Sequence, residues 1–193
     1  DKDPTEGCVV RVQPSAQAYD VPVDIGLAHV VLEGACIDEP ACANPSTWPL
    51  LRPAEGGGDP GAGEVETLEA GIRVRADHVT LRRLRIAGVS ADGGTRLLNG
   101  VLFEDEAPGV VIGGAAECLW IEDIQGASLQ SPAAIRATGA SGLVIDQVHV
   151  EDVRGDAWCN RDGCSADGVR LEACDGCVVR DSCVRSVAGG DAL

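Results

Sequence analysis

Short apolar runs separated by Gly, Asp or Ser fill residues 166–193. The runs lie at 169–171, 177–179 and 184–187. Because Gly, Asp and Ser are favoured in turns, each run predicts a short strand bounded by turns. The phrase Asp-Gly-Val at 167–169 then returns as Asp-Ala-Leu at 191–193, which is 24 residues further along the chain. This segment therefore predicts three strands within one repeating unit.

The same pattern of apolar and glycine positions recurs earlier in the chain. A single constant shift places five positions on equivalents without a gap: Val169 on Ile135, Gly176 on Gly142, Val179 on Ile145, Val184 on Val150 and Val187 on Val153. First strands begin near residues 72, 101, 135, 169 and 193. Insertions in stacked repeats go to loops, so a coil of about 24 residues with loops of varying length explains this spacing. We predict an all-β fold, a single-stranded right-handed parallel β-helix or solenoid.

The 193 residues are enough for one domain, and the pattern divides it into three parts. Residues 1–38 predict an opening coil of three strand candidates, the second of which is edge-like because it contains Pro22. Residues 39–70 predict an irregular loop, because prolines and a Gly-rich run interrupt a strand ladder. Residues 71–193 predict regular coils. Since the chain stops at the start of a strand, we expect a fragment of a longer protein.

Alternation in the regular coils predicts which side chains face the interior. In the first of them, the inward positions are Ile72, Val74, Val79, Leu81, Leu84, Ile86 and Val89, and the outward positions are Arg73, Arg75, Arg82, Arg83 and Arg85. In the next coil, Val110 and Ile112 match apolar positions of the repeat, and the match resumes at Ile121 and Ile124. The residues between them predict an insertion at 113–118. The aromatic fraction of only 3% agrees with an interior filled by stacked aliphatic side chains.

The net charge of the protein limits the classes of molecule that it is expected to bind. It is −16, and the estimated pI is 4.4. Nucleic acids and anionic membranes are bound by basic surfaces, so neither is an expected partner. The sequence contains no apolar run of about 18 residues, so it predicts no membrane-spanning helix. The acidity serves solubility, or it indicates binding of cations or of a neutral glycan.

Nine cysteines are many for a protein of a reducing compartment. Cys36 with Cys42, and Cys159 with Cys164, bracket short loops and predict two local disulfides. We therefore expect an exported protein, at the cell surface or outside the cell. The alternative is a zinc site from Cys159, Cys164, Cys174 and Cys177.

Acidic residues align from one coil to the next. The repeat places Glu122 next to Glu151 and Asp123 next to Asp152, about 4.8 Å apart as in any pair of adjacent strands. Carboxylates at that spacing repel unless a cation or a basic side chain intervenes. These four residues are a candidate calcium site, and calcium is the only cofactor that the sequence indicates. The alternative is a ladder of surface salt bridges, because Arg185 follows Glu151 and Arg180 follows Asp146 on the next coil.

Two aspartates also share a rung at the strand starts, Asp167 and Asp191. The segment around them reads Ser-Ala-Asp-Gly at 165–168 and Gly-Asp at 190–191. It resembles right-handed β-helix proteins of the pectate-lyase-like superfold, and locally the polygalacturonase-type glycoside hydrolases, which carry N-T-D-G and D-D at these places. The resemblance implies inverting hydrolysis of a polysaccharide, with Asp191 as the general acid and Asp167 as its carboxylate partner.

Other residues fit binding of a polysaccharide or a cell-surface glycan. Arg136, Arg154 and Arg170 are predicted on outward faces, and any of them could serve a lyase-type reaction as the base. Trp158 lies in a polar loop predicted to protrude. Whether the protein is an enzyme stays open at this stage, because the fold alone gives no activity. The alternative is a non-catalytic structural or adhesive surface module.

Overall fold

The computed structural model describes residues 7–35, 43–55, 65–104, 113–126, 131–155 and 165–188. Apart from one short 3₁₀ helix at Pro45–Thr47, the regular structure of these residues is all β. The strands, in chain order, are β1 (Cys8–Val12), β2 (Tyr19–Val21), β3 (Val23–Ile25), β4 (Val30–Gly34), β5 (Leu50–Pro53), β6 (Glu66–Val74), β7 (Val79–Ala87), β8 (Thr95–Glu104), β9 (Gly114–Gln125), β10 (Ala133–Thr138), β11 (Val144–Asp146), β12 (His149–Arg154), β13 (Asp167–Glu172), β14 (Val178–Arg180) and β15 (Cys183–Ala188).

The described strands form two sheets in which all paired strands run parallel. The five-stranded sheet has the order β13-β10-β8-β6-β3. The ten-stranded sheet contains the remaining strands, with β1-β4-β7-β9-β11-β14 as its longest path. Each strand therefore pairs with strands from the neighbouring repeats, which is consistent with a parallel β-solenoid.

The repeat found in the sequence is confirmed as the register of the sheets. Ile135 pairs with Val169, Ile145 with Val179, Val150 with Val184 and Val153 with Val187. The predicted steps from Ile72 to Val101 and on to Ile135 are also observed. The predicted strand start near residue 193 lies outside the described residues.

The core consists of rows of aliphatic side chains between the two sheets. Of the seven positions predicted to face inward in the first regular coil, six are buried: Ile72, Val74, Val79, Leu81, Leu84 and Ile86. Val89 is half-buried instead, since it follows the end of β7. The five arginines predicted to face outward are half-buried. Their guanidinium groups reach carboxylates on neighbouring strands.

Non-glycine residues with left-handed backbone form columns at the bends of the sheet. Arg83, Cys118, Gln147 and Asp181 form one column, with φ between 48° and 54°. Asp123, Asp152 and Ser186 form another, with φ between 55° and 57°. Side chains in this region are uncommon, and a pattern of apolar residues gives no signal for them. The sequence therefore predicted the strands but not these bends.

Two predictions about irregular segments are wrong. The predicted loop 39–70 contains the strand β5, which pairs with both β2 and β7, and β6 already begins at Glu66. The prolines misled the prediction, because Pro53 is the last residue of its strand and interrupts nothing. The predicted insertion at 113–118 lies instead on a continuous strand from Gly114, where Ala116 pairs with Leu81. The residues at 113–118 are mostly small, so the pattern of apolar positions did not indicate a strand there.

Six charged residues form one row across the outer face of the ten-stranded sheet, and we call this row the charge ladder. Its members, in spatial order, are Arg11, Glu33, Arg82, Glu117, Asp146 and Arg180. Arg180 Nη2 lies 2.7 Å from Asp146 Oδ2, which confirms the predicted neighbourhood of this pair. Glu33 is buried, and it accepts hydrogen bonds from Arg11 Nε at 2.8 Å and Arg82 Nε at 2.6 Å.

The predicted disulfides fall on Cys36, Cys42, Cys159 and Cys164, which lie outside the described residues. The cysteines that the structure does describe are free thiols: Cys8, Cys118, Cys174, Cys177 and Cys183. In the part of the chain that the structure describes, no helix has the length and apolar character to cross a bilayer.

Candidate functional site

A groove of about 350 Å³ crosses the outer face of the five-stranded sheet. Strands β6, β8 and β10 supply its walls, which are lined by Glu69, Leu98, Asn99, Leu102, Glu104, Arg136, Thr138 and Gly139. Leu98, Leu102 and Glu104 of β8 alternate with the buried Val101, and Arg136 and Thr138 of β10 alternate with the buried Ile135, so these side chains face outward. The groove therefore combines polar groups with two leucine side chains.

Arg136, which lines the groove, shares a carboxylate with Arg170 of the next strand. Glu172 Oε2 accepts a hydrogen bond from Arg136 Nη2 at 3.1 Å, and Glu172 Oε1 accepts one from Arg170 Nε at 2.7 Å. The hydrogen bond from Arg136 lowers the pKa of Glu172 below its usual value, burial opposes this shift, and Arg170 adds to it. Glu172 is therefore ionised at neutral pH, and both guanidinium groups are fixed in position.

A second arginine–carboxylate cluster includes Glu69 and Glu104, which line the groove. Arg73 pairs with Glu69, and its Nε lies 3.0 Å from Glu104 Oε1. Asn99 lines the groove beside them, is 1% exposed, and donates from Nδ2 to the Glu69 carbonyl at 2.9 Å. Among the described residues, Asn99 Oδ1 has no hydrogen-bond partner. A buried amide oxygen without a donor is costly to the stability of the fold.

The predicted catalytic pair is placed only in part. Asp167 is buried at the start of β13, in the same row as Asn99 and Ala133. Its Oδ2 accepts hydrogen bonds from Ser165 Oγ at 3.1 Å and from Arg170 Nη1 at 3.4 Å. Asp191 lies outside the described residues. Hydrolysis by this pair stays a prediction.

The predicted substrate-binding residues separate into two groups. Arg136 and Arg170 lie next to each other in one row of the five-stranded sheet, at the groove. Arg154 lies on the ten-stranded sheet, where its Nη2 is 3.2 Å from Asp152 Oδ1. Trp158 lies outside the described residues.

The predicted calcium ligands have the expected register, because Glu122 pairs with Glu151. However, Glu122 accepts hydrogen bonds from Arg85 Nη2 at 2.8 Å and from Trp120 Nε1 at 2.9 Å. Arg185 neighbours Glu151 on its other side. Within the described residues, no three His, Cys, Asp or Glu side chains are grouped as a metal site requires. Glu122 is thus part of a salt bridge with Arg85, and both calcium binding and a continuous salt-bridge ladder at these four residues stay predictions.

Replacing Asp123 by asparagine is expected to stabilise the protein at neutral pH. Burial raises the pKa of Asp123, and the charges of Glu122 and Asp152 add to the rise. The ionised form thus destabilises the fold above its raised pKa, and below the ordinary value of 3.8 the group is neutral in both states. Because the side chain is exposed, we expect a gain of about 0.5 kcal/mol at pH 7. Urea unfolding at pH 7 and pH 3 should show the gain only at pH 7, and an equal gain at both would contradict the electrostatic cause.

A second hollow, of about 210 Å³, lies on the ten-stranded sheet beside the short 3₁₀ helix. It is lined by Asn44, Pro45, Ser46, Arg85, Trp120 and Glu122. The Trp120 ring stacks on His149 with centroids 3.9 Å apart. Arg85, Trp120 and His149 are neighbours in one row, so these groups stabilise the stack of repeats.

Sequence reasoning missed Glu172, Asn99, Glu69, Glu104 and Arg73 as groove residues. The repeat carried a usable signal, because Glu104, Thr138 and Glu172 are equivalent positions in three successive repeats. A polar residue that recurs along a stack of outward positions marks one face of a sheet.

Comparison with known proteins gives no relative for this chain. No protein-family model matches it, and no curated protein or solved structure matches it significantly. The groove is therefore the feature from which a function can be inferred.

Proposed function

We propose that this protein is a right-handed parallel β-helix that binds a linear, neutral polysaccharide outside the cell, along the groove of its five-stranded sheet. The right-handed winding of the proposed β-helix is supported by a general rule, since crossovers between parallel strands of one sheet are right-handed in about 98% of cases. The groove crosses the strands and so follows the direction in which repeats stack. A ligand made of repeated units matches a surface made of repeated units.

The observation that carries this proposal is the mixture of groups in the groove. Arg136, Glu104 and Thr138 offer donors and acceptors, and Leu98 and Leu102 offer apolar surface. A sugar ring presents hydroxyl groups at its edge and C–H groups on its faces, so it uses both.

The charge balance favours a neutral polymer over a polyuronate. Arg73, Arg136 and Arg170 are all paired with carboxylates. The four carboxylates involved, Glu69, Glu104, Asp167 and Glu172, outnumber these three arginines. A polyanion in the groove would thus meet an Arg136 that is already paired with Glu172, and the net charge of −16 would repel it.

Binding should depend on Arg136 and not on Arg154. We expect Arg136→Ala to weaken binding of a neutral polysaccharide at least about tenfold, which is about 1.4 kcal/mol. The reason is that this change removes a groove donor and also releases Glu172. Arg154→Ala removes the same side chain from the other sheet and is the matched control.

The measurement is isothermal titration or affinity electrophoresis against a panel of neutral and uronate polymers, after circular dichroism has shown that both variants fold. Equal losses in the two variants would contradict the location of the site. No binding to any neutral polymer would overturn the proposal. Reducing-sugar release, lost in Asp167→Asn, is the test for hydrolysis in addition to binding.

A structural or adhesive module is the second candidate function. The charge ladder on the ten-stranded sheet favours it, because four of its five neighbouring pairs are of opposite charge and so stabilise the stack. Under this alternative, no member of the glycan panel binds and Arg136→Ala changes only stability.

A further inference from the structure

Two cysteines lie together at the corner that follows β13. Cys174 and Cys177 are partly buried and pack against the hydrophobic core. Cys177 Sγ lies 3.6 Å from the Ala140 carbonyl oxygen, and the two thiols interact with each other. Ala173 (φ 51°) precedes the pair and Gly176 (φ 65°) lies between its two members, and both residues turn the chain in the left-handed conformation.

The preceding repeat shows that cysteine is not needed there for packing. The bridge between Ser141 and Asp175 aligns the two corners, so Cys174 is equivalent to Ala140 and Cys177 to Leu143. Ala140 and Leu143 are 1% and 0% exposed. Ordinary apolar side chains thus fill the same two places one repeat earlier, and a pair of adjacent thiols adds chemistry that packing does not require.

We propose that Cys174 and Cys177 are a reversible oxidation site, a dithiol that closes to a disulfide when it meets a small-molecule disulfide. One cysteine, as its thiolate, attacks the oxidant and forms a mixed disulfide, which releases one molecule of reduced thiol. The second cysteine loses its proton to water and attacks the protein sulfur of the mixed disulfide, which releases the other molecule of thiol. The dithiol loses two electrons and two protons, and the oxidant gains them.

The burial of Cys174 explains why this cysteine is a protonated thiol before it meets an oxidant. Burial raises the pKa of Cys174 to about 11, and the interaction with Cys177 adds to the rise. Cys174 is therefore protonated at neutral pH and is a poor first nucleophile. Cys177 makes the first attack, and Cys174 resolves the mixed disulfide.

The experiment is equilibration of the whole chain in mixtures of reduced and oxidised glutathione, followed by an acid quench, alkylation of free thiols and peptide mass spectrometry. We expect a peptide with an internal bond between Cys174 and Cys177, two hydrogens lighter than the dithiol and restored by dithiothreitol. Cys174→Ala should instead accumulate glutathione on Cys177. This variant reproduces the alanine of the preceding repeat, so it is expected to fold.

Cys118→Ser is the control, since Cys118 donates to Gln147 Oε1 at 3.5 Å on another bend of the sheet. It should leave the formation of the bond between Cys174 and Cys177 unchanged. Bonding of either cysteine mainly to a third cysteine would overturn the proposal. Complete alkylation of both cysteines in fully oxidised glutathione would also overturn it, and so would protection of both by added zinc alone.

Discussion

Replacing Gly34 by alanine is expected to lower the free energy of unfolding by about 3 kcal/mol, the upper end of the usual cost of overpacking. A Cβ atom on this residue would lie 2.0 Å from the Arg83 carbonyl oxygen and 2.7 Å from Pro49 Cδ. The first of these is backbone of the adjacent strand, so it cannot rotate away. The strands β4 and β7 would have to separate at the bend where Arg83 adopts its left-handed conformation.

The matched control for this change is Gly26→Ala. An added Cβ at Gly26 meets nothing within 4 Å, and the residue is exposed. Urea unfolding followed by circular dichroism should show a large loss for Gly34→Ala and a change within about 0.5 kcal/mol for Gly26→Ala. Similar losses in both would contradict the close approach of two strands as the cause, because the lower unfolded-state entropy of alanine stabilises a protein.

Replacing Glu33 by glutamine is expected to lower the free energy of unfolding by about 2 kcal/mol at pH 7, the usual size of a hydrogen bond to a charged group. The carboxylate is 3% exposed and contacts Arg11, Arg82 and Arg83. Loss of one partner of a buried ion pair costs about 3–5 kcal/mol when the remaining charge stays buried. The arginine side chains are 68%, 38% and 28% exposed, so water compensates them in part and reduces the cost.

The effect of this change should depend on pH in a defined direction. The hydrogen bond from Arg11 lowers the pKa of Glu33, burial opposes this, and Arg82 and Arg83 lower it further. A lowered pKa in the folded state stabilises the protein above the ordinary value of 4.5, and this stabilisation is lost as the pH falls through the folded-state pKa. The difference between wild type and Glu33→Gln should therefore be full at pH 7 and shrink below pH 4.5.

The control is Glu117→Gln, which removes the same charge from a half-buried position of the same charge ladder. Urea titrations at several pH values should give it a loss of less than about 1 kcal/mol. A pH-independent loss in Glu33→Gln would show that packing, and not charge, determines the effect.

The parallel strands could be predicted from the sequence because each repeat places the same residue types in the same order. Ile121 and Val150 are buried and their equivalent Val184 is half-buried against the same core, so the spacing of apolar residues determines which strand pairs with which. Where the interior residues are small, this signal fails. Ala116 fills the place opposite Leu81, and no apolar pattern distinguishes it from a loop residue.

Part of the candidate site could also be predicted, because the same repeat aligns outward side chains of successive strands. Arg136 and Arg170 occupy the same position of two successive repeats, so the sequence places them in one row. Arg154 looks identical in an alternating pattern, but it follows a bend and belongs to the other sheet. Asn99 could not be predicted, because its unpaired oxygen depends on which donors the folded chain brings near it.

The order of signs in the first four members of the charge ladder opposes assembly of the first repeats out of sequence, because Arg11, Glu33, Arg82 and Glu117 alternate. If one layer were skipped during folding or exchanged with a second molecule, Arg11 would face Arg82 and Glu33 would face Glu117. Like charges directly opposite each other on paired strands are destabilising. The alternation ends at Glu117, which neighbours Asp146. The outer row therefore penalises a slipped or domain-swapped stack at the first repeats, where the aliphatic interior alone would tolerate it.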